Sequence, residues 1–146
     1  MKGFTLIELV LVIALLGIMV IGAQPLLPLS MESLDSASRK VRMDVLYAQQ
    51  RALITGANHG VNFIASGNYT IYRGTTANLI NDPFMNTLFN EDLAEFQNVS
   101  VSTNYQVEFD SQGRPVLGGG GSVTLTNGSS NKGVAVTANT GYVQIQ

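Results

Sequence analysis

The feature that most constrains this chain is a run of twenty residues, from 4 to 23, in which Glu8 is the single charged side chain. From Leu9 to Ala23 nothing charged or strongly polar interrupts it. As a helix rising about 1.5 Å per residue, such a run covers roughly 30 Å, the depth of a bilayer's hydrocarbon core. It therefore reads as a transmembrane helix. A carboxylate at that depth is costly, so Glu8 reads as a functional group that needs a partner.

The residues around it narrow the reading. Lys2-Gly3-Phe4-Thr5-Leu6-Ile7-Glu8-Leu9 resembles the class III signal of type IV prepilins and type II secretion pseudopilins. The resemblance implies that a prepilin peptidase cuts after Gly3 and methylates the new N-terminal Phe4. It also implies that Glu8 neutralises the N-terminal amine of a neighbouring subunit during assembly. Gly17 and Pro25 fall where many pilins carry helix-loosening residues. Lys2 on the cytoplasmic side fits the positive-inside tendency. Two other readings compete. An ordinary secretory signal would use Lys2 as its basic region and cut after Gly22-Ala23, but Ile21 suits the minus-three position poorly, and a carboxylate at the head of the apolar region is atypical. A plain signal anchor would leave Glu8 near the headgroups.

The chain has 146 residues, enough for this helix and one domain of about 120 residues. Past Ala23 there are nine acids and seven bases, so that part is mildly acidic and has no general pull on nucleic acid or anionic lipid. With no cysteine there is neither a disulfide nor thiolate chemistry. Many pilins close a C-terminal disulfide loop, and this chain departs from that pattern.

Pro25 and Pro28 interrupt the first helix, each removing a backbone donor at a cost of about 3 kcal/mol in a helix interior. The interruption is either a simple boundary or a segment able to stretch as a subunit enters a filament. Over residues 30–53, Leu27, Met31, Leu34, Ala37 or Ser38, Val41, Val45, Ala48 and Ala52 recur every three or four positions, predicting an amphipathic helix with Gly56 as its C-cap. The bases Arg39, Lys40 and Arg42 read as a solvated face, or as partners for another subunit. Residues 59–64 and 69–73 predict a β-hairpin closed through Ala65-Ser66-Gly67-Asn68. Residues 75–96 are polar and ambiguous, broken by Pro83, with Asn90-Glu91-Asp92 able to cap a short helix through Phe96. Residues 99–103 and 105–110 predict strands, 111–115 a turn, and 122–126, 134–138 and 142–146 a terminal meander.

Arg42-Met43-Asp44-Val45-Leu46-Tyr47-Ala48, then Phe109-Asp110-Ser111-Gln112-Gly113-Arg114-Pro115, then the 134–145 hairpin resemble the GspH/FimT-type minor pseudopilins. The fold implied is α+β, a type IV pilin fold in which a long N-terminal helix, transmembrane then amphipathic, packs on a C-terminal antiparallel β-sheet domain. The division expected is a leader over 1–3, an assembly helix with its proline break over 4–29, and a periplasmic domain over 30–146.

No site for catalysis is legible. His59 stands at a strand start without a partner at any recognisable spacing and reads as an exposed histidine. There is no HExxH or GxSxG, and Gly118 to Gly121 lack the Lys-Ser/Thr of a phosphate loop. Asp82, Glu91, Asp92 and Glu95 could supply oxygen ligands to calcium, although a polar loop explains them as well. No cofactor is expected. The partners implied are the prepilin peptidase, other pilin or pseudopilin subunits, and inner-membrane lipid before assembly. FimT-type relatives implicated in DNA capture carry basic residues in the C-terminal hairpin. Residues 139–146 hold none, and Lys132 stands alone nearby, so nucleic acid is not the expected partner.

Overall fold

The computed structural model describes residues 5–22 and 29–146. The leader with Gly3, the Phe4 position and the Pro25–Pro28 break lie outside the described residues. Helix α1 spans Leu6–Gly22, 17 residues. That is about 25 Å of helix, and residues 4 and 23, the ends of the expected span, lie outside the described residues. Among the described residues no helix is long and apolar enough to cross a membrane.

Helix α2 spans Leu29–Thr55. Of its expected stripe, Leu34, Ala37, Ser38, Val41, Val45, Ala48 and Ala52 are all buried, while Leu27 and the Met31 side chain lie outside the described residues. Four of the seven, Ala37, Ser38, Ala48 and Ala52, are small, which leaves room for strands to pack close to the helix. Gly56 ends the helix as expected. Its N–H donates to the Ala52 carbonyl at 3.0 Å, and its φ of +66° is the left-handed conformation that a side chain would strain.

Ten strands follow in chain order: β1 (His59–Phe63), β2 (Tyr69–Arg73), β3 (Thr75–Leu79), β4 (Asn90–Glu91), β5 (Ser100–Val101), β6 (Tyr105–Phe109), β7 (Pro115–Leu117), β8 (Ser122–Thr126), β9 (Asn131–Val136) and β10 (Val143–Ile145). They form two antiparallel sheets under α2. One runs β3-β2-β1-β6-β7 with β4 also on β2, and the other runs β10-β9-β8-β5. The period-two alternation works as predicted. Val61 faces Ile71 on one side and Val107 on the other, and Phe63 faces Tyr69, their rings 5.1 Å apart. In the second sheet Val123 meets Val134, and Val136 meets Val143. Strand β1 is central in its sheet, between β2 and β6. At Gly60 a Cβ would lie 2.4 Å from the Tyr72 hydroxyl, so only glycine lets that ring close over the strand.

Several expectations change. The strands predicted over 99–103 and 105–110 are sequence neighbours, yet β5 pairs with β8 and β6 with β1, so the chain crosses between sheets there. The 75–96 stretch contains β3 and β4. Its predicted helix is a single 3-10 turn, Leu93–Glu95, with the Asp92 carboxylate accepting from the Ala94 N–H. Pro115 opens β7, an edge strand where a missing N–H is tolerated.

Candidate functional site

Thr5 starts α1: its carbonyl accepts from the N–H groups of Glu8 at 3.1 Å and Leu9 at 3.3 Å. Glu8 thus lies in the first turn, where the helix dipole favours an acid. Every large apolar side chain from Leu6 to Leu16 is exposed, from 81% at Leu6 to 46% at Val12. A helix apolar on all faces belongs inside a membrane or among other helices. The domain of this chain covers none of that surface. Glu8 is exposed as well, and no cation among the described residues pairs with it. Gly17 lies within α1, while Gly3, Phe4 and Pro25 fall outside the described residues. Of the expected assembly residues, the structure therefore describes Glu8 and Gly17, both on α1.

The domain end of the helix pair is organised around a network that sequence patterning missed. Lys40 Nζ donates to Asp44 Oδ2 at 2.7 Å, lies 3.4 Å from Glu91 Oε2, and sits 5.4 Å from the centre of the Phe89 ring. The buried Tyr69 hydroxyl donates to the same Asp44 oxygen. Burial pushes the Asp44 carboxyl above its usual value, against the pull of the Lys40 and Tyr69 hydrogen bonds. Burial, with the Asp44 charge behind it, also drives the Tyr69 phenol far above its usual range. Burial alone would lower Lys40, but its hydrogen bond to Asp44 and the charges of Asp44 and Glu91 outweigh that and hold the ammonium up. The two partners differ in outcome: at Lys40 the pairing outweighs burial, whereas at Asp44 burial outweighs the pairing.

The base cluster is thus not simply a solvated face. Lys40 is half-buried and paired, Arg42 Nε donates to the Val143 carbonyl at 3.2 Å, and Arg39 is exposed. The i, i+4 spacing of Lys40 and Asp44 was the signal available for this. His59 is corrected too, being fully buried. Its Nδ1 donates to the Ala57 carbonyl at 2.9 Å, while the buried Nε2 has no hydrogen-bond partner. Burial lowers its pKa, although the Ala57 bond opposes this, and the charges of Arg51 and Arg73 add to the lowering.

Three of the four acids considered for calcium have separate uses. Asp82 Oδ1 accepts from the N–H groups of Phe84 at 2.6 Å and Met85 at 3.0 Å, Asp92 caps its turn, and Glu91 faces Lys40. Among the described residues no group of three or more potential ligands gathers for a metal.

The family model described as "Type II transport protein GspH" matches residues 37–141, well over half of the chain. This chain belongs to the GspH family. A second model, the prokaryotic N-terminal methylation motif, matches residues 1–23. The pilin-like protein PilA1 of Thermus thermophilus is 29% identical over 145 residues, covering 93% of each chain. The fold is that of the type IV minor pilin FimU of Pseudomonas aeruginosa. One crystal form is 13% identical with a TM-score of 0.56, covering 80% of this chain and 90% of that one. A second is 12% identical with a TM-score of 0.54, covering 77% and 92%. The α+β pilin architecture expected from the sequence is therefore present, and the chain is a structural subunit of the pilin and pseudopilin class.

Proposed function

We propose that this GspH-family chain is a minor filament subunit, cut after Gly3 and N-methylated at Phe4 by a prepilin peptidase. Before assembly it is held in the inner membrane by its apolar helix, with the domain on the periplasmic side. It then enters a type IV pilus-like filament or type II secretion pseudopilus. The observation that carries this is α1 itself, a helix apolar on every face, uncovered by its own domain, with one carboxylate in its first turn.

Moving α1 from lipid to a filament core exchanges one apolar surrounding for another, so hydrophobicity gives little direction. A charge left unpaired in that core costs several kcal/mol, and pairing relieves most of the cost. Glu8 therefore sets register by finding the Phe4 ammonium of a neighbour. Gly17 and Pro25 would let the helix bend or stretch during that step. Capture of DNA gains no support: Lys132, the base near the C-terminal hairpin, is paired with Asp35.

The test is Glu8→Val in the native host. The variant should remain in the membrane fraction and disappear from sheared filaments. Incorporation at the parental level would remove the pairing mechanism. Mass spectrometry of the parental chain should show methylated Phe4 at the N-terminus, and an intact Met1-Lys2-Gly3 would sink the processing step.

A further inference from the structure

The 82–89 loop is braced by its own backbone. The Asp82 N–H donates to the Thr87 carbonyl at 2.7 Å, the Asn86 N–H donates to the Asp82 carbonyl at 3.0 Å, and the Asp82 carboxylate accepts from the Phe84 and Met85 N–H groups. On this loop stand Phe84, 94% exposed, and Met85, 73% exposed. Large apolar side chains held out to water on an ordered loop mark an interaction surface. Between the loop and α2 lies a cleft of about 640 Å³ floored by Met43, Tyr47, Phe89 and Phe96. Lys40, Met43, Tyr47 and Gln50 recur every three or four residues along it, so the cleft follows one face of the helix.

The acids of the cleft are Asp44, Asp82, Glu91 and Glu95, and its base is Lys40. Lys40 is shared between Asp44 and Glu91, and Asp82 is met by uncharged N–H groups, so a negative surplus remains. Glu95 and Phe96 also line a second hollow of about 330 Å³, where Glu32 and Ser36 of α2 form the facing wall. Through those two shared residues the hollows make one track along α2, apolar around Met43 and Tyr47 and acidic toward Glu32. Neither Glu32 nor Glu95 meets a cation among the described residues. Arg39, exposed on the same stretch of helix, lines neither hollow. Lys40 shows what such a track holds: an ammonium between two carboxylates, 5.4 Å from the centre of the Phe89 ring. Glu95 beside Phe96 offers an incoming cation the same combination.

We propose that this track receives a basic, apolar segment of a different filament subunit. An aromatic or long aliphatic side chain of that segment sits among Met43, Tyr47, Phe89 and Phe96, and its lysine or arginine side chains reach Glu95 and Glu32. The proposal rests on the filament reading above, which puts other subunits beside this one. Charge decides against the other occupants. Lipid headgroups and nucleic acid, both phosphate-bearing, meet a surface of their own sign. A second copy is poorly matched as well. Past Ala23 this chain has nine acids to seven bases, and Lys40, Arg42, Arg114 and Lys132 are already engaged within its own domain.

The probe is the peptide acetyl-Leu-Phe-Lys-Arg-amide, titrated into full-length chain in an uncharged detergent while the methionine methyl groups are followed by NMR. The Met43 and Met85 signals should shift and saturate. The acidic peptide acetyl-Leu-Phe-Glu-Glu-amide should bind more weakly by about tenfold. Glu32→Lys together with Glu95→Lys should weaken the basic peptide by about the same factor, and raised ionic strength should act in the same direction. Both acids are exposed and unpaired, so that variant keeps its fold. In the native host, p-benzoylphenylalanine in place of Phe84 should on irradiation join this chain to another subunit carrying its own prepilin signal, through a segment containing lysine or arginine. The two lysine substitutions should reduce that adduct. Equal affinity for the two peptides, or unmoved Met43 and Met85 signals, overturns the proposal. So does an adduct with a second copy, with lipid or with nucleic acid, or the lack of any adduct in filaments that contain the labelled chain; these leave the filament reading standing. A parental chain absent from sheared filaments removes the filament reading instead, and with it the proposed partner.

Discussion

Helices α1 and α2 come from the same chain and differ in where their stabilisation lies. Along α2 the apolar face is buried under two sheets, and Lys40, Arg42 and Gln49 each find a partner inside the domain. Along α1 the large side chains from Leu6 to Leu16 are uncovered, and Glu8 finds no cation among the described residues. A helix like α2 is complete as part of an isolated molecule. One like α1 is complete only in an assembly or a membrane. The contrast separates what makes this domain fold from what makes the chain useful.

Truncating a buried side chain should separate the two helices most. Phe63→Ala removes a fully buried ring packed on Tyr69, and should lower the unfolding free energy by about 3–5 kcal/mol. Leu11→Ala, on the uncovered helix, should leave domain unfolding within about 0.5 kcal/mol. Denaturant titration of both variants in detergent checks the pair, and a large loss from Leu11→Ala would mean that α1 is part of the folding unit.

Next in size is Asp44→Ala, which leaves Lys40 and the buried Tyr69 hydroxyl short of an acceptor and should cost about 1–3 kcal/mol. Adding Tyr69→Phe should return part of that loss, since the orphaned hydroxyl goes with it. A double-mutant cycle measures the difference.

Smaller still is a pH effect at His59. Its folded pKa lies below the ordinary 6.5, so the unfolded chain takes up the proton first. Stability from this group is complete above about pH 6.5 and declines as pH falls below that toward the folded value. His59→Gln should flatten this slope in thermal melts between about pH 7 and 5. An unchanged slope would place the titration elsewhere.

Much of the fold was legible because α2 and the longer strands have a period. The stripe from Leu34 to Ala52 and the alternation in β1, β2 and β8 are set by burial on one face, and burial selects residue type. Strands β4 and β5, two residues each, are too short to show any period, and only the strands they pair with define them. His59 misled because a polar residue at a strand start says nothing about how deeply the fold buries it. At the proposed assembly site, Gly3, Phe4 and Glu8 read as a motif next to an apolar run. The cleft was not legible, because α2 and the 82–96 segment are distant in sequence and ordinary in composition.

The side-chain amide of Gln49 has a mechanical consequence. It donates to the Gly113 carbonyl at 2.7 Å and the Gly141 carbonyl at 3.2 Å, one in a turn of each sheet. A displacement of α2 is thereby felt by a turn of each sheet at once, so the two layers are tied to one helix position. One side chain thus couples the β6–β7 and β9–β10 turns without added bulk.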